Sequence, residues 1–231
     1  VLAWHPTGRA LTYALEKRGE LYLNTYTVDD RKTVTKPVFL LEKILSMAYS
    51  ADGQRMVFSG VREGHTDLYQ YYVIGNRQEQ LTDDLFDDLD PRFVDDGKGI
   101  IFSSDRTDDT LRMEKDVTYH LAAKDIFIFD LETRSPILQR MSRTPGFNET
   151  QPAQYDSSSY TYLSDKGGLN NRWLVTYDSA VSGIDTTVHY RYFTSEARVT
   201  DLKRGIIEQE VNMQRGRYSQ LMYVDGAYRF M

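Results

Sequence analysis

The sequence predicts an all-β fold, a β-propeller built of four-stranded antiparallel blades. An aromatic residue, a glycine four positions later and a second aromatic five positions after that occur three times, as Trp4-Gly8-Tyr13, Tyr49-Gly53-Phe58 and Phe93-Gly97-Phe102. The first members of these sets lie 45 and 44 residues apart, which is the period of one propeller blade. The high aromatic content, 13% of residues, suits strands packed face to face.

The second copy predicts a complete blade. Asp52-Gly53 predicts a tight hairpin turn, because glycine tolerates the positive φ that such turns require. Segment 61–66 is predicted as a polar turn between the middle strands. The four predicted strands are 47–50, 54–59, 67–74 and 79–82.

The third copy repeats this order with an insertion. Its predicted strands are 90–93, 99–104, 125–131 and 136–142. The insertion, 107–124, separates the second strand from the third. Because Met113, Val117 and Leu121 recur every four residues, a short amphipathic helix is predicted there.

The remaining copies are less regular. The first is predicted to have strands at 11–14 and 20–25, and the fourth a third strand at 172–177, an extra segment at 186–194 and a last strand at 197–200. A fifth copy opens at Glu210-Val211, with turns at Arg215-Gly216 and Asp225-Gly226. We therefore expect one domain, 1–231, with blades at about 1–44, 45–88, 89–149 and 150–205 and a partial blade at 206–231.

Charge and composition exclude several classes of function. The net charge of −6 disfavours nucleic acid as a partner, because phosphate binding needs a basic surface. The sequence has no cysteine, which excludes disulfides, zinc–thiolate sites and thiol catalysis. No apolar stretch is long enough for a membrane span.

Two segments carry a family resemblance. Residues 90–106, DPRFVDDGKGIIFSSDR, followed by DIFIFDL at 125–131, resemble the TolB-type, WD-repeat-like propeller repeat, and residues 47–82 resemble it equally well. The resemblance covers nearly the whole chain and is weaker outside these two blades. It implies a six-bladed ring, so four blades and part of a fifth would leave the ring open. We therefore expect a piece of a larger multidomain protein, of a kind found in Bacteroidetes-like bacteria.

Catalytic motifs are absent from the sequence. Propellers of this type also occur in prolyl-oligopeptidase-like peptidases, but the G-x-S-x-G nucleophile motif is missing. The four histidines, His5, His65, His120 and His189, are too far apart in sequence for an H-E-x-x-H zinc motif. Phosphate-binding glycine loops are missing as well. We expect no catalytic residue, no cofactor and no metal.

An acidic run leaves one alternative open. Seven aspartates fall between positions 83 and 96, namely Asp83, Asp84, Asp87, Asp88, Asp90, Asp95 and Asp96. Clustered carboxylates can bind Ca²⁺, but the spacing does not fit an EF-hand loop. The favoured interpretation is a solvated connection between blades followed by a β-turn.

Two insertions are the candidate partner-binding regions, because insertions in repeat folds form loops that often bind partners. The candidate residues are Tyr119 and His120 in the first insertion and Tyr190, Arg191 and Tyr192 in the second. Tyr69 and Tyr71, which share a strand face, are instead predicted to lie in the core.

The resemblance implies a role in the bacterial envelope, periplasmic or associated with the outer membrane. The favoured hypothesis is a non-catalytic scaffold that binds other envelope proteins. The alternative is a propeller domain of a larger peptidase or polysaccharide-active enzyme. A ligand or metal site in the central channel is a third hypothesis, but the predicted inner strands at 48–50, 92–94 and 153–155 show no converging polar set.

Overall fold

Five antiparallel sheets follow one another along the chain in the computed structural model, which describes residues 1–111, 123–184, 186–212 and 216–231. Within these residues, four sheets have four strands and the last has three. This confirms the predicted propeller of four full blades and part of a fifth. No helix of the described residues is long and apolar enough to cross a membrane.

The first sheet illustrates how the strands are joined. It comprises β1 (Leu2–Trp4), β2 (Ala10–Lys17), β3 (Glu20–Thr27) and β4 (Lys32–Val38). Arg18 and Gly19 join β2 to β3, with φ of 56° and 79°. Two positive φ values in a two-residue turn are typical of type I′ hairpins, whose twist matches that of the strands.

The second sheet has longer strands than the sequence predicted. It comprises β5 (Lys43–Tyr49), β6 (Arg55–Arg62), β7 (His65–Tyr72) and β8 (Arg77–Gln80). The polar turn predicted at 61–66 was wrong, because β6 and β7 pair up to Arg62 and His65 and leave only Glu63-Gly64 in the turn. Both turn residues have positive φ, so a two-residue hairpin suffices.

The third sheet lies between its neighbours with both faces covered. It comprises β9 (Asp88–Val94), β10 (Gly99–Ser104), β11 (Asp125–Asp130) and β12 (Gln139–Arg140), and a 3-10 turn, Asp95–Gly97, joins β9 to β10. Every residue of β10 is buried. The helix predicted around Met113, Val117 and Leu121 lies outside the described residues.

The fourth sheet contains the longest strands. It comprises β13 (Glu149–Gln154), β14 (Ser159–Ser164), β15 (Asn171–Ile184) and β16 (Val188–Arg198). The segment 186–194 was predicted as an insertion between strands, and this was wrong. Its residues 188–194 belong to β16, which pairs with a β15 far longer than the predicted 172–177.

The fifth sheet comprises β17 (Ile206–Asn212), β18 (Arg217–Val224) and β19 (Ala227–Phe230). The Asp225-Gly226 turn lies between β18 and β19 as predicted, and both residues have positive φ. Arg215, in the other predicted turn, lies outside the described residues.

Three apolar clusters connect consecutive sheets. The first joins sheets one and two through Leu23, Met56 and Phe58, the second joins sheets two and three through Leu68 and Phe102, and the third joins sheets three and four through Ile101, Tyr162 and Val175. Burying one such side chain contributes roughly 1.5–3 kcal/mol. The order of the sheets in space therefore follows their order in sequence.

The repeated glycines sit in the turns that follow the inner strands. Gly8 and Gly53 both have φ of +70°, a conformation that costs other residues steric energy. Around Gly8 there is open space, whereas a Cβ on Gly53 would lie 2.2 Å from His5 Nε2. The His5 ring, held edge-on against Tyr49 at 5.0 Å, uses the space left by the missing side chain.

This difference predicts unequal costs for the same substitution. We expect Gly8→Ala to lower the free energy of unfolding by about 1 kcal/mol, from backbone conformation alone. Gly53→Ala should cost roughly 1–2 kcal/mol more, because the His5 ring must move. Chemical denaturation of both variants measures this.

A His5→Ala background provides the control for that comparison. Without the imidazole, the two alanine substitutions should cost the same within about 0.5 kcal/mol. An undiminished extra cost for Gly53→Ala in the His5→Ala background would show that the contact is not responsible.

Candidate functional site

The structure describes one of the two predicted partner-binding segments. Tyr190, Arg191 and Tyr192 lie on β16, opposite Val181, Ala180 and Ser179 of β15. Tyr119 and His120 lie outside the described residues. The candidate surface described below therefore rests on β15 and β16.

Beyond the body of the fourth sheet, β15 and β16 continue as a two-stranded ribbon, residues 177–194. The pairing of β14 with β15 ends at Ser159 opposite Thr176, whereas β15 and β16 stay paired as far as Ile184 and Val188. The ribbon exists because each strand continues for seven or more residues after β14 has ended, with one register shift between Val181 and Gly183.

The ribbon exposes large apolar side chains. Tyr192 is 60% exposed, Val181 53% and Phe193 40%. The rings of Tyr177 and Tyr192 are parallel within 3°, with centroids 5.5 Å apart, so one face of the ribbon is stiffened at its base. Exposed aromatic side chains on a rigid element are typical of protein-binding surfaces.

The base of the second, third and fourth blades is held by a repeated polar contact. The side chain at the start of the third strand accepts a hydrogen bond from a backbone N–H in the connection to the next blade. Asp67 accepts from Asp84, Asp125 from Thr144, and Asn171 from Leu202, at 3.4, 3.0 and 2.8 Å. Because an amide does this in the fourth sheet, the contact needs an acceptor oxygen and not a charge.

Arg106 is the centre of a buried ionic network between sheets two and three. Its Nη2 donates to both carboxylate oxygens of Asp88 at 2.7 and 3.0 Å, and its Nη1 donates to Asp84 at 3.0 Å. Nε donates to Ser104. The guanidinium is fully buried, with three phenylalanine rings within 6 Å. Burial opposes the charge, but Asp88 and Asp84 together raise the pKa of Arg106.

The network explains how the acidic run is used. Asp84 and Asp88 are buried on Arg106, whereas Asp83 and Asp87, each directly before one of them in sequence, are exposed. The carboxylate oxygens of Asp67, Asp84 and Asp88 lie within 4.8 Å of one another. A protein cation already neutralises two of the three, so the geometry favours a structural connection over a Ca²⁺ site.

Two buried carboxyl groups have no such cation within the part of the chain that the structure describes. Burial, and after it the charge of the neighbouring Asp88, raises the pKa of Asp67 to about 7. The hydrogen bond from the Asp84 N–H opposes this shift. Burial likewise raises the pKa of Glu149 to about 7, against hydrogen bonds from Ser142 and Thr144. In the next connection, Glu149 occupies the position of Asp88 and Lys166 that of Arg106. Lys166 is half-exposed, however, and contacts Trp173 and Glu196 instead of Glu149.

The inner strands carry a polar ladder, contrary to the expectation that their side chains would not converge. Asp90 N–H donates to Ser46 Oγ at 3.1 Å, Gln151 N–H to Asp90 Oδ2 at 3.1 Å, and Gln209 N–H to Gln151 Oε1 at 2.8 Å. Each of these four strands has a β-bulge near the ladder. A bulge shifts the side-chain alternation, which is why the sequence prediction missed this set.

Residues next to the ladder also bridge non-adjacent blades. Arg92 of the third sheet makes a two-pronged ion pair with Glu210 of the fifth, both contacts at 2.7 Å. The recurring dipeptides Asp90-Pro91 and Gln151-Pro152 mark the ladder positions in the sequence. The ladder thus ties sheets two to five together around the centre.

The other candidates from the sequence lie apart from these features. Tyr69 and Tyr71 are buried in the cluster between the first two sheets, which confirms the predicted core position. His5 is half-buried, and His65 and His189 are exposed on different sheets. His120 lies outside the described residues.

The fold is that of TolB-like β-propellers. The TolB-type protein from Agrobacterium tumefaciens is 17% identical, with a TM-score of 0.70, and the match covers 100% of this chain and 74% of that one. TolB from Acinetobacter baumannii is 16% identical, with a TM-score of 0.60 and coverage of 99% and 52%. The β-propeller domain of the Trilobed protease from Pyrococcus furiosus is 10% identical, with a TM-score of 0.56 and coverage of 100% and 65%.

These identities establish a common fold and nothing about chemistry. The chain spans about half to three quarters of the length of the solved chains it resembles. No protein-family model matches the sequence, and no curated protein does.

The pKa of Asp67 predicts a pH-dependent stability. Its folded pKa lies above the ordinary value, so its ionisation opposes folding, and stability falls as the pH rises from about 4 through about 7. The quantity to compare is the change in the free energy of unfolding that Asp67→Asn causes at each pH. We expect this change to be more stabilising at about pH 8 than at about pH 5, by about 2–4 kcal/mol. Denaturant titrations at both pH values measure this.

Asp125→Asn is the matched control, because Asp125 holds the same position but pairs with Arg140. This variant should lose that ion pair. Equal effects of the two substitutions at both pH values would contradict the assignment to Asp67.

The Arg106 network predicts a large loss on removing the cation. Arg106→Leu should lower the free energy of unfolding by about 3–5 kcal/mol, because Asp84 and Asp88 stay buried without a counter-charge. Arg92→Leu, which breaks the partly exposed pair with Glu210, should cost about 1 kcal/mol or less. Thermal and denaturant unfolding measure both.

Adding Asp84→Asn and Asp88→Asn to Arg106→Leu should recover part of that loss, since the two carboxylates that Arg106 neutralised are then uncharged amides. If the triple variant is less stable than Arg106→Leu, packing of the guanidinium and not its charge holds the connection.

Proposed function

We propose that the chain is a non-catalytic protein-interaction scaffold of the bacterial cell envelope, periplasmic or associated with the outer membrane. The observation that carries this proposal is the ribbon at 177–194, an extension of two blade strands that the propeller core does not need. The likeness of the fold to TolB propellers supports the envelope assignment. The net charge of −6 favours protein over nucleic acid as the partner.

The mechanism is rigid display. Three apolar clusters hold the first four sheets together, and the ribbon continues directly from the outer strand pair of the fourth, β15 and β16. A partner that binds the ribbon therefore meets a surface that is already ordered, and little conformational entropy is lost on binding.

The ribbon offers two kinds of contact. Tyr192 and Phe193 present apolar area, and the described residues place no strand beside β15 after Thr176, so backbone N–H and C=O groups face outward along that edge. An extended segment of a partner can add to such an edge as a further strand, with its side chains against the aromatic rings. The binding mode is thus β-strand addition reinforced by aromatic contacts.

A second candidate function is a propeller domain of a larger peptidase or polysaccharide-active enzyme. It is favoured by the likeness to the propeller domain of the Trilobed protease. In that arrangement the propeller positions substrate for a catalytic domain elsewhere in the protein.

The scaffold proposal predicts a ribbon-dependent partner. Cross-linking and affinity capture with the intact parent protein, from envelope extracts, should recover a specific envelope protein identified by mass spectrometry. Tyr192→Ser with Phe193→Ser should reduce that capture about tenfold or more, because exposed aromatic anchors dominate binding energy.

Phe39→Ser with Ile74→Ser is the matched control. It also removes two exposed apolar side chains, but from the second sheet and its entry, and should leave capture unchanged. Equal loss in both variants would argue against the ribbon. Hydrolase activity of the intact protein without any retained partner would favour the enzyme-domain alternative.

A further inference from the structure

The contact between the fourth and fifth sheets contains a buried charge without an opposite charge. Arg172, on β15, is only 3% exposed. Its Nε donates to Gln209 Oε1 at 2.8 Å, and its Nη2 donates to Gln220 Oε1 at 3.4 Å. Both acceptors are neutral amides, and no carboxylate of the described residues forms an ion pair with Arg172. Buried charges in proteins are ordinarily paired.

The fold does not require a charge at this position. In the equivalent place of the second and third sheets stand Leu68 and Ile126, both fully buried. The three residues are equivalent because each backbone N–H donates to the hydroxyl that ends its blade, those of Thr82, Ser142 and Thr200, at 2.9, 2.9 and 2.8 Å. An arginine therefore replaces an aliphatic side chain that would pack against the next sheet.

Arg106 is a buried guanidinium with a purely structural role, and it differs from Arg172 in its partners. Two aspartates neutralise it, with contacts of 2.7–3.0 Å. Arg172 has neither, and burial lowers its pKa, with Tyr218 opposing that shift. No side chain of the described residues therefore neutralises the charge of Arg172, and an anion from outside them can do so.

One exposed side chain covers the guanidinium. The ring of Tyr218, on β18, lies 4.2 Å from the guanidinium carbon, and Tyr218 is 64% exposed. Exposed side chains change rotamer within nanoseconds, so turning this ring away opens a path from solvent to Arg172. The site is closed by a movable side chain and not by the backbone.

We propose that the contact of sheets four and five beneath Tyr218 is a carboxylate-binding site in which Arg172 supplies the charge. A planar guanidinium matches a planar carboxylate with two parallel hydrogen bonds. The single positive charge suits a monoanion. Each glutamine already uses one N–H elsewhere, since Gln209 Nε2 donates to Gln151 O and Gln220 Nε2 contacts the Met222 sulfur.

The carboxylate can come from an acidic side chain of a protein or from a free small molecule. The chemistry of the site is the same for both, and the affinities of two probes distinguish them. The site lies away from the ribbon, so it can exist whether or not the ribbon binds a partner.

The test is a titration of the full chain, labelled with ¹⁵N-arginine, followed by NMR at constant ionic strength. N-acetylglutamate should shift the Arg172 Nε–H signal saturably and raise the melting temperature, because it binds the folded state. N-acetylglutamine, its neutral analogue, should do neither. A glutamate-containing peptide that binds more tightly than N-acetylglutamate identifies a protein segment as the natural source, and equal affinities identify a small carboxylate.

Arg172→Leu is the decisive variant, because leucine occupies the equivalent place in the second sheet and the fold should be kept. It should weaken carboxylate binding by about tenfold to a hundredfold, the loss expected for charge-assisted hydrogen bonds. Tyr218→Ala should keep binding, since Arg172 supplies the charge that holds the carboxylate. An unchanged response in Arg172→Leu, no saturable shift in the natural sequence, or tighter binding of inorganic phosphate than of carboxylate would each overturn the proposal.

Discussion

The structure depends on the burial of both faces of its sheets. A four-stranded sheet with apolar residues on both faces can exclude water only by packing against a sheet on each side. Phe58, Phe102 and Val175 lie in successive clusters between successive sheets. The hairpin turns, the capped connections and the inner ladder all serve to bring each sheet against the one before it.

The polar features lie where the sheets do not pack through apolar side chains. The connections between blades must enter the interior, so their backbone groups need acceptors, which Asp67, Asp125 and Asn171 supply. Where the connection also buries acidic side chains, Arg106 neutralises them. Where sheet packing is absent or polar, at the ribbon and at Arg172, the chain has residues whose exposure or charge the fold does not require. Those are the places where binding is proposed.

The sequence predicted much of the fold and less of the site. The spacing of Gly8, Gly53 and Gly97 identified the blades, because a turn that needs positive φ restricts its residue type. The ribbon was misjudged, because strand length beyond 172–177 depends on a partner strand that no local pattern reveals. The ladder was missed because bulges next to Ser46, Asp90 and Gln151 shift the alternation on which face assignment depends.

The sequence by itself therefore determined the blade repeat, its turns and the alternation of apolar residues, since these follow from local backbone geometry and periodicity. The tertiary structure alone decided which charges are paired. Arg106 and Arg172 are alike as residues in a sequence, yet one is buried against two carboxylates and the other against two amides. The reason is physical, because the state of a charge is set by whatever long-range packing places beside it, and its neighbours come from strands far away in the chain.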